Sequence, residues 1–152
     1  EFLKTENNSI WMGKVKVLKL GSYAVQILPK LKLRDGNELE ELVLGGWLPE
    51  HIPKILGMKN NNIWVGKMKK PKLTGYATKI LPKLRFHREN ELEELSLTAY
   101  CSEHIAGMLE MENKNIRIGK VRKISLKGCY AEKIRSKLDF TLMDSREENG
   151  GA

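Results

Sequence analysis

Cysteine is scarce in this chain, and long apolar runs are missing from it. The two cysteines, Cys101 and Cys129, do not form the closely spaced pairs that zinc sites and disulfide frameworks require. Their rarity favours reduced thiols in an intracellular protein. No apolar run approaches the ~18 residues that would predict a membrane-spanning helix, so membrane insertion is not expected. Because the chain starts at Glu1 without a methionine, we expect a fragment of a longer protein.

Motifs for catalysis and ligand binding are also missing. The sequence has no glycine-rich phosphate loop, no nucleophile–histidine–acid order and no close carboxylate pair. His51 and His104 stand beside glutamates at equivalent places 53 residues apart. Equivalent side chains of a repeat point the same way and do not converge on a metal, so surface histidines are predicted. We expect no enzyme activity, no cofactor, no metal and no small-molecule substrate.

Internal repetition is the strongest feature that the sequence does have. Four blocks return at a constant offset of 53 residues. They are residues 8–14 with 61–67 (and, in part, 116–120), 27–31 with 80–84, 37–42 with 90–95, and 50–52 with 103–105. Matches in register over this length indicate tandem copies of one structural unit.

Each 53-residue unit divides into two segments of the form LxxLxL. The segments begin at Val15, Leu39, Met68, Leu92 and Val121, at alternating steps of 24 and 29 residues. The pattern resembles leucine-rich-repeat proteins, in particular their ribonuclease-inhibitor-like branch. That resemblance implies an α/β solenoid shaped as a horseshoe, with a parallel β-sheet on the concave face and short helices on the convex face. We assign residues 1–140 to about five repeats and residues 141–152 to a polar tail.

Two features depart from the family pattern. Where the family usually carries Asn or Cys after the strand, this chain carries Tyr23, Trp47, Tyr76, Tyr100 and Cys129. We expect neighbouring glycines such as Gly75 to help close these turns, and the aromatic side chains to form a buried rim rather than a ligand cage. Pro71 stands at a central strand position, where its missing N–H predicts a local irregularity.

Short helices are predicted between the strands. Residues 49–56 and 102–109 fit this pattern, the second with Ser102 as its N-cap. Residues 24–28 and 77–81 predict about a turn and a half each, ended by Pro29 and Pro82.

The outward positions of the predicted strands carry charges whose sign alternates from strand to strand. Equivalent positions lie side by side in a parallel sheet, so opposite charges would pair and hold register, at about 0.2–1 kcal/mol per pair. The same face could dock a complementary protein surface, whereas glutamates across it argue against a phosphate backbone. The candidate partner-binding residues are Lys16, Lys19, Glu40, Glu41, Lys69, Lys70, Lys72, Glu93, Glu94, Arg122 and Lys123.

The excess positive charge, +8 over the chain, lies along one predicted edge. Its residues are Lys30, Lys32, Arg34, Lys83, Arg85, Arg88, Arg135 and Lys137. A solvated edge is the usual meaning of such a stripe, and a footprint for RNA or an acidic protein is the alternative. Trp11, Trp64 and Arg117 share one repeat position, which fits either packing between repeats or an exposed cation–π row.

These patterns favour a non-enzymatic protein–protein interaction scaffold that binds a protein partner through the concave face or its rim. The alternative is an RNA- or ribosome-associated protein that uses the basic edge.

Overall fold

The chain folds as an α/β protein built on parallel β-sheets. The computed structural model describes residues 10–11, 15–32 and 38–143, with the backbone alone for Ile10, Trp11, Lys32 and His51. The strands in these ranges are β1 (Ile10–Trp11), β2 (Val17–Gly21), β3 (Leu31–Lys32), β4 (Glu38–Gly46), β5 (Ile63–Gly75), β6 (Leu84–Phe86), β7 (Glu91–Leu92), β8 (Leu95–Thr98), β9 (Ile116–Val121), β10 (Ile124–Lys127) and β11 (Leu138–Leu142).

Five of these strands follow one another through the main sheet in the order β2-β4-β5-β8-β10, which is also their order along the chain. Every neighbouring pair is parallel. Alignment follows the predicted steps, 24 residues from Leu20 to Leu44 and 29 from Leu44 to Leu73. Leu97 and Leu126 continue this row of leucines, which packs into the core. The predicted parallel sheet is confirmed.

Additional parallel pairs form outside this path. Strand β1 pairs with β3, the start of β5 pairs with β6, and β11, β9 and β7 form a separate three-stranded sheet. Ile63 aligns with Leu84, Ile116 aligns with Leu138, and all four side chains are buried. The arrangement therefore differs from the predicted single strand per repeat, because these apolar segments find parallel neighbours of their own.

Most helical segments in the described ranges are 3-10 helices. They span Ser22–Lys30, Pro49–His51, Tyr76–Lys83, Ser102–His104 and Ala131–Lys137, and a four-residue α-helix spans Pro53–Leu56. Pro29 and Pro82 lie inside their helices, so the prediction that they end them is wrong. A proline blocks the α-helical bond to residue i−4, whereas here the N–H of Leu31 reaches past Pro29 to the Leu28 carbonyl.

The two longer predicted helices are each shortened for a local reason. In residues 49–56 the helix is interrupted at Ile52, where Pro53 restarts it as an α-helix. In residues 102–109 only Ser102–His104 is helical, because Gly107 has a φ of 89° that no right-handed helix allows. Cys101, not Ser102, occupies the N-cap position, and no side-chain cap bond forms there.

The turn after a main strand repeats every 53 residues. Ser22, Gly75 and Gly128 hold equivalent places and have positive φ angles of 55°, 68° and 85°. A β-carbon on Gly75 or Gly128 would collide with the carbonyl oxygen of the preceding strand's turn, at Gly46 or Ala99. Glycine therefore closes this turn, as expected for Gly75, and lets adjacent coils of chain approach closely.

Pro71 lies inside β5, where it is aligned with Leu42 of β4. Pairing of β5 with β8 begins one residue later, at Lys72, so the predicted irregularity lies on the β8 side of the proline. Strand β11 extends to Leu142, past the predicted boundary at residue 140. Residues 1–9, the predicted mid-repeat start, and residues 144–152 of the predicted tail lie outside the described residues.

Candidate interaction surfaces

Opposite charges meet across the strands of the main sheet. The ammonium of Lys72 on β5 lies 3.1 Å from the Glu41 carboxylate on β4. Between β5 and β8, Glu93 lies 3.7 Å from the Lys69 ammonium and 3.9 Å from that of Lys70. All of these side chains are partly exposed, so each pair stabilises the fold weakly. Their main effect is to leave the face with alternating, fixed charges.

Both buried edges of this charge pattern keep their glutamates ionised. The hydrogen bond from Lys72, followed by its charge, lowers the pKa of Glu41. The hydroxyl of Ser125 donates to Glu94, and this bond, with the nearby Lys123 and Lys127, lowers the pKa of Glu94. At neutral pH these carboxylates therefore act as acceptors for a partner's cations and N–H groups.

The remaining candidates on this face lie at its margins. Lys16, Lys19, Glu40 and Lys123 are exposed and Arg122 is half-buried. The Lys16 carbonyl accepts the N–H groups of both Glu40 and Glu41, at 2.7 and 3.2 Å. This shared acceptor turns two successive acidic residues toward solvent, so the face is more charged than strict alternation would give.

An aromatic rim borders the charged strands, formed by Tyr23, Trp47, Tyr76 and Tyr100. Tyr23 is 58% exposed, Trp47 is 54% exposed and Tyr100 is 56% exposed, so the predicted buried rim is wrong. Each side chain follows the turn at which the chain leaves the sheet, and the glycine-closed turn directs it outward instead of into the core. Leu48, next to Trp47, is 47% exposed and enlarges the apolar surface.

The rim is organised by stacking and by a buried histidine. The rings of Trp47 and Tyr100 are stacked, with centroids 6.1 Å apart and an interplanar angle of 20°. Tyr76 meets His104 edge-on at 4.7 Å. His104 is buried, and its Nδ1 accepts the N–H of Tyr100 at 3.1 Å. Burial lowers the pKa of His104, so at neutral pH the ring is uncharged and positions the Tyr100 backbone.

The prediction of a surface histidine is therefore wrong for His104, and the His51 side chain lies outside the described residues. The signal that could have revealed this role was the repeated Glu-His-Ile block itself, since a repeated side chain two turns from an aromatic is as well suited to packing as to solvent.

The predicted basic edge is only partly available to a ligand. Lys83 donates to the Met58 carbonyl and Lys137 to the Met111 carbonyl, each at 2.7 Å. These two bonds tie successive helices to the loops before them, and burial lowers the pKa of Lys83. Arg135 pairs with Glu132 at 2.9 Å. Lys30 is half-buried, while the Lys32 side chain and Arg34 lie outside the described residues.

Arg85 and Arg88 of that edge instead border a groove of about 1050 Å³, here called the Trp64 groove. The Arg85 guanidinium lies 5.5 Å from the centroid of the Trp64 ring, and the His87 ring lies 6.0 Å away. The groove is lined by Asn61, Trp64, Arg85, Phe86, His87, Arg88, Glu89, Asn90, Glu91, Arg117, Ile118, Gly119, Lys120 and Thr141. Trp64 is half-buried and Arg117 is exposed, so both open readings of this repeat position hold in part. The side chain of Trp11 lies outside the described residues.

Among the described residues, no group of three or more His, Cys, Asp or Glu side chains could hold a metal ion. Cys101 and Cys129 are free thiols, half-buried and exposed respectively. No helix in the described ranges is long and apolar enough to cross a membrane. Comparisons with protein-family models, curated proteins and solved structures find no match to this chain.

Proposed function

We propose that this chain is a leucine-rich-repeat solenoid that acts as a non-enzymatic scaffold for protein–protein interaction. Three features support the repeat assignment: main strands in chain order, alignment steps of 24 and 29 residues, and a turn conformation that returns every 53 residues. Stacked repeats bury a shared core and leave their outward positions for contact.

The observation that carries the interaction function is the exposure of the aromatic rim beside fixed charges. Trp and Tyr are the residues that most often supply binding energy at protein interfaces, usually from the centre of the contact. The Trp47–Tyr100 stack is held in place by its own contacts, so little conformational entropy is lost when a partner covers it.

The charged strands would then set orientation and specificity. Alternating lysines and glutamates around an apolar anchor suit a partner that has an apolar pocket rimmed by charges of both signs. Such a partner docks with Trp47 and Tyr100 in its pocket and with its charges facing Lys72, Glu41 and Glu93.

The test compares a rim variant with a matched control. Trp47→Ala/Tyr100→Ala removes the stack, whereas Leu109→Ala/Leu142→Ala removes exposed apolar side chains elsewhere on the surface. A partner captured from source lysate by the wild-type chain is purified and titrated against each variant. We expect the rim variant to weaken binding by about 30-fold or more, the range of an interface hot spot, and the control to bind like wild type.

A charge swap completes the test. Glu41→Lys/Glu94→Lys should reduce the affinity of the same partner, and most strongly at low salt. An unchanged dissociation constant in both the rim variant and the charge-swap variant, with folded proteins, would refute this docking surface.

The basic edge is the second candidate, as a site for RNA or a ribosome. As a continuous stripe it is weakened by the bonds that Lys83, Lys137 and Arg135 already make. What supports nucleic-acid binding is a different arrangement, the Trp64 groove.

A further inference from the structure

The Trp64 groove lies at the opposite end of β5 from the aromatic rim, since Trp64 is near the first residue of that strand and Tyr76 follows its last. It is therefore separate from the proposed protein-docking surface and does not depend on it. Its volume of about 1050 Å³ is at or above the upper end for pockets that enclose a small molecule, roughly 300–1,000 Å³. A chain that crosses the groove fits this shape better than an enclosed ligand.

Four cationic side chains from different segments converge on the groove. Arg85 belongs to β6, Arg88 follows that strand, and Arg117 and Lys120 belong to β9. All four are exposed, and none is ion-paired with a carboxylate in the described part of the chain. Unpaired guanidinium groups bind phosphate oxygens in a bidentate manner, so the groove offers several phosphate contacts.

The centre of the groove offers a stacking platform. The Arg85 guanidinium lies over the Trp64 indole, and His87 approaches the same ring at an interplanar angle of 59°. His87 is held by its Nδ1, which accepts the N–H of Glu89 at 3.0 Å. Unstacked nucleobases pack against aromatic rings and against guanidinium planes in proteins that bind single strands.

Hydrogen-bonding groups beside the platform suit a base edge. Asn90 is only 7% exposed; its Oδ1 accepts the Met68 N–H at 2.9 Å, and its Nδ2 has no partner among the described residues. A buried, unused amide donor is costly unless a ligand or water satisfies it. Glu89 and Glu91 add carboxylate acceptors to the lining, which can accept from base amino groups but would repel an acidic peptide.

We propose that the Trp64 groove binds a single-stranded nucleic acid, with phosphates at Arg85, Arg88, Arg117 and Lys120 and a base on the Trp64–Arg85 platform. An acidic peptide could satisfy the cations but would leave the aromatic plane unused. The combination of unpaired cations with an aromatic platform therefore favours the nucleic acid.

Fluorescence anisotropy with labelled 15-nucleotide single strands, one RNA and one DNA of the same mixed sequence, tests the proposal on the full chain. An abasic strand of equal length supplies phosphates without bases, and polyglutamate supplies charge without phosphates. With four phosphate contacts, log K should fall with log salt at a slope of about −2.8, from roughly −0.7 per contact. The abasic strand should bind about 5- to 150-fold more weakly than the base-bearing strand.

Variants separate the two kinds of contact. Trp64→Leu should bring binding of the base-bearing strand down to the level of the abasic strand and leave the abasic strand unaffected, with Trp64→Phe recovering part of the loss. Arg85→Ala/Arg117→Ala should halve the salt slope to about −1.4. Lys54→Ala/Lys59→Ala, which removes two exposed charges outside the groove, should leave affinity and slope within twofold of wild type.

Each contrary result overturns the proposal in a distinct way. No binding of any strand at low salt removes the site altogether. Equal affinity for base-bearing and abasic strands, or for polyglutamate, shows charge attraction without a base site. An equal loss in the Lys54/Lys59 control shows that the contacts are not in the groove. If RNA and DNA differ, the 2′-hydroxyl is part of recognition and the proposal stands for the tighter of the two.

Discussion

Gly75 is the residue at which the close approach of adjacent coils can be tested most sharply. Its φ of 68° and ψ of −137° lie in a region that residues with a β-carbon adopt only under strain, at about 1–3 kcal/mol. An added β-carbon would also collide with the Gly46 carbonyl oxygen and come within 3.0 Å of the Trp47 ring. Overpacking of this kind typically costs about 1–3 kcal/mol.

The two effects together predict that Gly75→Ala lowers the free energy of unfolding by about 2–6 kcal/mol. Urea denaturation followed by circular dichroism measures this directly. Gly45→Ala is the matched control, because it belongs to the same sheet edge but has nothing within 4 Å of its added β-carbon. It should change stability by less than about 0.5 kcal/mol, as surface substitutions usually do.

The reasoning would be refuted if Gly75→Ala were as stable as wild type, or if Gly45→Ala lost as much. A fall in Gly75→Ala would also disturb Trp47, whose ring is its neighbour, so near-ultraviolet circular dichroism should change in this variant and not in the control.

Two further predictions concern single bonds of the fold. Asn90→Ala removes the only side-chain acceptor of the Met68 N–H among the described residues, so we expect a loss of about 1–3 kcal/mol in urea denaturation; no loss would mean that water replaces the bond without cost. For Glu41, whose folded pKa is lowered chiefly by Lys72, the stabilisation is present above the unfolded pKa near 4.5 and is lost as pH falls through the lower folded value. The stability difference between wild type and Glu41→Gln should accordingly be largest near pH 7 and shrink below pH 4.5, and a difference independent of pH would contradict the pairing.

The order and register of the main strands could be predicted from the sequence, because both follow from leucine positions alone. A step of 24 or 29 residues aligns Leu20 with Leu44 and Leu44 with Leu73, and any other alignment would turn these side chains away from the core. The rows of alternating charge follow from the same register, as the Lys72–Glu41 pair shows.

The surfaces could not be predicted in the same way, because they depend on the direction that the chain takes after each strand. Tyr100 at a turn has the same sequence signal whether the backbone directs it inward or outward, and here it points outward. The burial of His104 depends on the neighbouring Tyr76 from another repeat. The Trp64 groove combines side chains that are up to 77 residues apart, from Trp64 to Thr141, and no spacing within one repeat indicates that contact.

Helix type was equally hidden. The sequence indicated where helices would lie, but the choice of 3-10 over α geometry follows from Pro29 and Pro82 near the ends of short connections. A local pattern places the segment, and the length of chain available between two stacked strands decides its winding.

The central claim is that the main strands stack in chain order and leave one face and one rim open to a partner. Pulsed electron paramagnetic resonance on the full chain, with Cys101 and Cys129 replaced by serine, measures this through spin labels at Lys19 and Lys127. Four parallel strand spacings of ~4.8 Å separate these positions, which predicts a backbone separation of about 20 Å and about half that for labels at Lys19 and Lys72. A Lys19–Lys127 distance no longer than the Lys19–Lys72 distance would show a closed or reordered sheet and contradict the account.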